Sequence, residues 1–258
     1  MIIEYHRPQT IDDALILLSR DQPVTVPLGG GTVLNQPSRE AYAVVDLQSL
    51  GLNETNKHGQ LLQIGATCHL QSLLELDGKS DVVLPKALCD AIRLEGTINS
   101  RQLATVAGGL VSADGRSPFG TAMLALNPTL TLLPGEEEIS YGEIIPLRDL
   151  NLRHRLITQI HLPLNTKLSY HYISRSPFDL PLVSVAVAIW PSGRTRVVLG
   201  GYGDMPALAF DGPESSGAET AAQNVFHNAG DQWASAGYRR EMAVVLTKRA
   251  IADIGDRV

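Results

Sequence analysis

The sequence predicts an α+β fold, because its strand and helix patterns are mixed without the strict alternation of a doubly wound sheet. Side chains alternate in residues 183–190, and this period of two indicates a strand. The Pro-Ser-Gly-Arg turn at 191–194 then returns the chain as an antiparallel partner, residues 195–199. Ser235 caps a final helix with one apolar stripe, predicted to consist of Tyr238, Met242, Val245 and Leu246.

The residues before about 165 contain shorter elements. Thr10 and Asp13 have the spacing of a capping box that opens a helix. Further helices are predicted at 70–76, 84–92 and 121–126, and strands at 24–28, 43–47, 61–64, 130–133 and 156–162. Residues 56–59 read as a turn, and 103–111 as a strand interrupted by Gly108 and Gly109. We expect one domain over residues 1–165 and a second, hairpin-and-helix domain over 166–258.

Composition argues against a nucleic-acid-binding protein and is typical of a globular one. The chain has 258 residues, and its 21 Lys and Arg against 27 Asp and Glu give a net charge of −6. An acidic chain without a basic stripe is a poor partner for nucleic acid, since that affinity comes from neutralising phosphates. The hydrophobic fraction of 44% is ordinary for a globular protein.

The cysteines and histidines predict no metal site. Cys68 and Cys89 are too few to ligate an iron–sulfur cluster, which commonly needs four thiolates, and we read them as reduced, buried thiols. The seven histidines form neither HxH nor HExxH. The N-terminus has no apolar signal region, and no apolar run approaches the roughly 20 residues that span a bilayer. We therefore expect a cytoplasmic protein without direct membrane insertion.

The first of two glycine segments has the sequence Pro-Leu-Gly-Gly-Gly-Thr-Val-Leu at 27–34. Glycines after a strand let backbone amides approach an anion, and Thr32 adds a hydroxyl. The segment is neither GxGxxG nor a P-loop, so a tight structural turn also explains it. The second segment, Ala-Thr-Val-Ala-Gly-Gly-Leu-Val at 104–111, has the same character, and a bulge or a close strand crossing is the alternative.

Several motifs in order along the chain resemble the FAD-binding medium subunit of molybdopterin dehydrogenases, the group of the carbon monoxide dehydrogenase flavoproteins and the flavin domain of xanthine dehydrogenase. They are Tyr5–Pro8, Gly29–Thr32 beside the family's AGGT, Ile64–Thr67, Thr105–Gly109 beside its TIGGN, Leu156–Pro163 and Ser235–Arg240 beside its SAxYRR. Four positions depart from the family pattern: Ala107 replaces a usual Gly, Gly109 a usual Asn, Val33 a usual Asp, and Pro118 another usual Asp.

The resemblance implies noncovalent FAD in a two-subdomain fold split near residue 55, followed by the C-terminal domain. It implies cofactor contacts at Leu28, Gly29, Gly30, Gly31, Thr32, Val33, Thr105, Val106, Ala107, Gly108, Gly109 and Asp114. Partners would be an iron–sulfur small subunit and a molybdopterin large subunit, with NAD or another acceptor receiving the electrons. No residue is assigned as catalytic, because the flavin carries the redox chemistry.

The sequence is also compatible with other functions. One is a stand-alone FAD oxidoreductase, which would need its own substrate pocket and base; another is a scaffold subunit that has lost FAD. Arg175, Asp179 and Tyr172 are candidates for flavin proximity, and a surface ion pair and a core or interface tyrosine explain the same residues.

Overall fold

The computed structural model describes residues 1–34, 40–76, 81–177 and 179–255. Its strands are β1 (Ile2–His6), β2 (Thr25–Leu28), β3 (Tyr42–Asp46), β4 (Thr55–His58), β5 (Leu61–Gly65), β6 (Thr129–Leu133), β7 (Glu137–Ser140), β8 (Leu156–Pro163), β9 (Lys167–Ile173), β10 (Val183–Ile189), β11 (Thr195–Gly200) and β12 (Ala207–Gly212). Its helices are α1 (Ile11–Leu18), α2 (Leu70–Leu76), α3 (Lys86–Glu95), α4 (Ile98–Leu103), α5 (Val106–Ser112), α6 (Pro118–Leu126), α7 (Tyr141–Ile144), α8 (Arg148–Asn151), α9 (Ala218–Val225) and α10 (Ala236–Gly255), with a 3-10 turn at Ile145–Leu147.

The chain forms two compact units that are discontinuous in sequence. The first unit combines Met1–Val82, Ile98–Ser112 and Pro128–Leu162, and the second combines Val83–Thr97, Ala113–Asn127 and Pro163–Val258. Two segments placed before residue 165 by the sequence prediction thus pack with the C-terminal residues. The domain boundary near 165 and the subdomain split near 55 stay predictions.

The first unit contains two sheets. Strands β1, β3 and β2 form a parallel sheet with β3 in the centre, and the order of the five-stranded sheet is β4-β5-β8-β6-β7. Helix α1 begins after Thr10, whose Oγ1 accepts a hydrogen bond from the Asp13 amide at 3.1 Å, which confirms the predicted cap. The helix buries Ala14 and Leu18 against Val45 of β3.

The predicted turn at 56–59 is wrong in its extent. Thr55–His58 is strand β4, paired antiparallel with β5, and the chain reverses only at Gly59, whose φ is 61°. Polar side chains caused the error, because an edge strand with solvent-facing residues carries no apolar alternation.

The second unit contains an antiparallel sheet of order β12-β11-β10-β9, and the predicted 183–199 hairpin is confirmed in register. The valines of β10 pack against α9 and α10, in a cluster with Ala222, Phe226 and Leu246. Ser184, Ala186 and Ala188 on the opposite face are also buried, and α6 packs against β10 and β11. The small side chains therefore allow helices to cover both faces of β10.

Helix α10 matches the predicted stripe only in part: Leu246 is buried and Met242 packs against the core, as predicted. Tyr238 is 39% exposed, and the buried positions are Arg239, Ala243, Leu246, Thr247, Ala250 and Ile254. The Arg239 guanidinium donates to the backbone oxygens of Leu182, Ala229 and Ala234 and to both carboxylate oxygens of Asp231. The sequence pattern missed this face because a buried, fully partnered arginine reads as a solvent-facing charge. In the described part of the chain, no helix combines the length and apolar character needed to cross a bilayer.

Glu95, the last residue of α3, caps the buried helix α6. Its carboxylate accepts from the Ser117 hydroxyl and from the Phe119 amide, each at 2.9 Å, at the N-terminus of that helix. Burial raises the pKa of Glu95 above its ordinary value, although both hydrogen bonds act in the opposite direction. The folded protein therefore binds the proton of Glu95 more tightly than the unfolded chain does.

We predict that Glu95→Gln changes how stability depends on pH. A raised folded-state pKa gives a contribution that is fully present below the unfolded pKa and is lost as pH rises through the folded pKa. Glutamine does not titrate, so the stability of the variant relative to the wild type should increase between about pH 4 and about pH 8. Urea unfolding at both pH values measures the difference, with the exposed Glu214→Gln as the control. A Glu95→Gln difference that is the same at both pH values would contradict this account.

Candidate functional site

The first glycine segment begins where β2 leaves the parallel sheet. Leu28 ends β2 and pairs with Asp46 of β3, and the Leu47 amide donates to the Leu28 carbonyl at 3.1 Å. Gly31 has a φ of 68°, a left-handed conformation that glycine adopts without strain. Thr32 and Val33 follow as exposed residues. The segment therefore turns sharply at the carboxyl edge of the sheet, where parallel strands commonly present ligand sites.

The second glycine segment is helical, so the predicted strand at 103–111 is wrong. Leu103 ends α4 and Val106 begins α5, with Ala104 and Thr105 between them. The Gly108 amide donates to Thr105 Oγ1 at 3.1 Å, which caps the helix. Val106 and Leu110 are buried at a spacing of one helical turn, and these apolar residues were mistaken for the core of a strand.

The two segments meet in the first unit. A Cβ added to Gly29 would lie 2.6 Å from Thr105 Oγ1, and one added to Gly30 would overlap the carbonyl oxygen of Leu103. A Cβ on Gly108 would likewise lie 2.8 Å from Thr105 Oγ1. The fold itself thus requires glycine at 30, because backbone rather than a movable side chain occupies the space.

The amides of the two segments differ in their hydrogen bonding. Those of α5 are bonded within the protein: Val106 to the Cys68 carbonyl at 2.8 Å, Ala107 to Ala66 at 3.2 Å, Gly108 to Thr105 Oγ1 at 3.1 Å, and Gly109 to the Thr105 carbonyl at 2.8 Å. Among the residues that the structure describes, the amides of Gly29–Thr32 have no protein acceptor. The first segment therefore presents free amide donors. The start of the second segment packs against its glycines.

Asp114 and Pro118 belong to the second unit, unlike the two glycine segments. Asp114 is exposed, and its Oδ1 accepts from the Arg116 amide at 2.8 Å. Pro118 occupies the first turn of α6, where a missing amide hydrogen costs nothing. Of the predicted contact positions, the structure thus brings Gly29 and Gly30 against the start of the second segment, and Asp114 belongs to the other unit.

Two of the candidates in the second unit, Arg175 and Asp179, contact each other. Arg175 Nε lies 3.5 Å from Asp179 Oδ2, and the Arg175 guanidinium lies 4.3 Å from the centre of the Trp233 ring. Tyr172 is partly exposed and stacks on Tyr170. These contacts fit the open alternative of a surface ion pair.

Asp46 is a buried carboxylate that the sequence reading missed. Its side chain is 4% exposed, it accepts from the Tyr5 hydroxyl, and its Oδ1 accepts from the Gln48 amide at 2.9 Å. The hydrogen bond to Asp46 raises the pKa of Tyr5. The available signal was a charged residue that ends the apolar run 43–45, beside the strand that carries the glycine segment.

Both cysteines are buried and unbridged, as predicted. Burial raises the pKa of Cys68 to about 11, so its thiol stays protonated and is a weak nucleophile. Within the described ranges, no three His, Cys, Asp or Glu side chains gather as metal ligands would.

We predict that Gly30→Ala destabilises the first unit by about 3 kcal/mol, because the new methyl group meets the Leu103 carbonyl and the backbone must move. Gly59→Ala is the matched control: Gly59 has a φ of 61° and open space around its Cβ position. That variant should lose only the cost of a left-handed alanine, about 1 kcal/mol. Urea unfolding of both variants measures the difference, and equal losses would show that the close approach is unimportant.

Comparison with known proteins gives a consistent result. A relative from Escherichia coli (strain K12), known as uncharacterized protein YgfM, is 28% identical over 263 residues and covers 98% of this chain and 96% of the relative. The glyceraldehyde dehydrogenase medium chain of Sulfolobus acidocaldarius is 26% identical over 279 residues, with 97% of each chain covered.

Solved structures share the fold. A carbon monoxide dehydrogenase chain from Hydrogenophaga pseudoflava matches with a TM-score of 0.80 at 20% identity, over 98% of this chain and 96% of that chain. Quinoline 2-oxidoreductase from Pseudomonas putida 86 matches with a TM-score of 0.73 at 20% identity, over 97% and 95% of the two chains. The predicted α+β fold is confirmed.

Residues 1–165 match the family described as the FAD binding domain in molybdopterin dehydrogenase. That range contains both glycine segments and the parallel sheet from which the first one emerges. Because the match extends over more than half of the chain, the protein belongs to this FAD-binding family.

Proposed function

We propose that this chain is the FAD-binding electron-transfer subunit of a molybdenum hydroxylase complex, receiving electrons from an iron–sulfur subunit and delivering them to NAD or another acceptor. The observation that carries the proposal is the free row of amides at Gly29–Thr32, in which Gly29 and Gly30 lie against Thr105 and the end of α4 without room for a side chain. Family membership supplies the identity of the ligand.

The first segment fits a diphosphate. Successive backbone amides in a tight turn form a concave group of donors, which binds an anion without adding bulk. Thr32 is exposed and adds a hydroxyl donor, and Leu28 and Val33 border the turn with apolar surface. The proposed contacts with the diphosphate are Leu28, Gly29, Gly30, Gly31, Thr32 and Val33, and the predicted contacts at Thr105, Val106, Ala107, Gly108, Gly109 and Asp114 stay predictions.

The second segment has a supporting role in this proposal. Thr105 is buried and caps α5, and Val106 is fully buried, so both position the glycines of the first segment. Ala107 replaces a usual glycine of the family, and its amide already bonds to Ala66. A methyl group there leaves the donors of Gly29–Thr32 unchanged.

Bound FAD supplies the redox chemistry. The protein residues bind and orient it, and neither glycine segment contains a His or Cys that would attach it covalently. The Sulfolobus acidocaldarius relative is a medium chain by name, which supports a role as one subunit among several. We propose an iron–sulfur small subunit and a molybdopterin large subunit as partners, in the cytoplasm.

A second candidate function is that of a scaffold subunit that holds little or no FAD. The bonded amides of α5 favour it, because they leave the second segment without a free backbone donor in its first turn. Flavin content decides between the two candidates, since both expect the same partners.

We predict that a tagged chain purified from its native host brings an iron–sulfur subunit and a molybdenum subunit with it, and carries FAD. Acid precipitation should release the flavin into the supernatant, since no covalent attachment is expected. A colourless complex of the same subunits would support the scaffold function instead. A chain that emerges alone with full substrate-dependent activity would contradict the proposal and indicate a stand-alone oxidoreductase.

We predict that Gly31→Asp loses FAD while the protein stays folded. Asp and Asn both tolerate the left-handed backbone at this position and have similar bulk, so Gly31→Asn is the matched control. The aspartate adds a like charge beside a diphosphate, and about 1.4 kcal/mol of repulsion already weakens affinity tenfold. Flavin content and far-UV circular dichroism measure both effects. Full FAD occupancy in a folded Gly31→Asp protein would show that this segment is only a structural turn.

A further inference from the structure

The carboxyl ends of three parallel strands lie side by side in the first unit. His6 of β1 pairs with Val45 of β3, so Arg7 follows at the level of Asp46. Leu28 of β2 pairs with Asp46 from the other side. Arg7, Asp46 and Leu28 therefore form a row across the sheet, and the free amides of the first glycine segment begin one residue beyond Leu28.

Arg7 extends along this row toward the central strand. Its Nε donates to Ser49 Oγ at 2.9 Å and lies 3.7 Å from Asp46 Oδ2. Neighbouring strands are about 5 Å apart. The backbone of Arg7 is thus two strand spacings, about 10 Å, from the end of β2, and its side chain extends toward Asp46 of the strand between them.

The guanidinium still has capacity to bind an anion. The Arg7 side chain is 52% exposed, and its two terminal nitrogens have no partner in the described part of the chain. Asp46 is already bonded to the Tyr5 hydroxyl and the Gln48 amide and is buried, so it holds the position of Arg7 without covering it.

Charge in this region requires compensation. Neither glycine segment, 27–34 or 104–111, contains a lysine or arginine. The buried carboxylate of Asp46 adds a negative charge at the same sheet edge. A diphosphate on the amides of Gly29–Thr32 would therefore lie in an unfavourable potential unless a nearby cation offsets it.

We propose that Arg7 is a binding residue for the diphosphate of FAD, with its terminal nitrogens facing the phosphates and with Asp46 and Ser49 as its positioning residues. This inference rests on the proposed function. Arginine suits the position because its planar guanidinium donates to a phosphate in pairs and remains charged at all physiological pH values.

The test compares FAD affinity of the flavin-free full chain in four proteins: wild type, Arg7→Gln, Arg7→Lys and Arg153→Gln. Arg153 is an exposed arginine of the same unit, paired with Asp21, and its removal changes the net charge equally. Fluorescence titration with FAD is carried out at about 0.1 M and about 1 M salt, since salt screens exposed charges.

Arg7→Gln should weaken FAD binding about tenfold at the lower salt concentration. The loss should shrink at the higher concentration, and Arg7→Lys should restore part of the affinity. Arg153→Gln should bind like the wild type. A loss that is independent of salt and not restored by lysine would show that Arg7 only anchors the end of β1, and equal affinity of Arg7→Gln and wild type would overturn the inference outright. If the wild type itself binds no FAD, the proposed function fails and the inference fails with it.

Discussion

The close approach of Gly30 to the Leu103 carbonyl is the constraint on which the candidate site depends. It joins two segments that are more than 70 positions apart in the sequence, and it leaves no room for a side chain between them. Gly29 against Thr105 extends the same contact. Glycine is needed at the two positions for different reasons: at position 30 because packing leaves no room for a side chain, and at position 31 because φ is positive.

This packing separates two roles that the sequence reading had merged. We expected both segments to contact the cofactor, with backbone amides that approach an anion. In the structure α5 satisfies its own first-turn donors, through Thr105 and through the carbonyls of Ala66 and Cys68. Two of the four departures from the family pattern then have a physical explanation, because a methyl group on Ala107 does not remove a donor and Pro118 stands where a helix needs none.

Local patterns predicted part of the fold well, and tertiary contacts decided the rest. The β10–β11 hairpin follows from alternation and a glycine turn, and α1 follows from the Thr10 cap, because both signals are local. The 103–111 segment was misassigned, since short apolar runs do not distinguish strand from helix. Arg239 and Asp46 were missed because their burial depends on partners distant in sequence, as does the packing of residues 83–97 and 113–127 with the C-terminal part of the chain.

We propose that Gly29–Thr32 presents free amides to FAD, while the amides of α5 are bonded within the protein. Hydrogen–deuterium exchange with and without FAD tests it most directly, because a bonded amide exchanges slowly. We expect fast exchange in Gly29–Thr32 that slows when FAD binds, and slow exchange in Val106–Gly109 in both states. Slow exchange in Gly29–Thr32 without FAD, or FAD-dependent protection confined to Val106–Gly109, would contradict it.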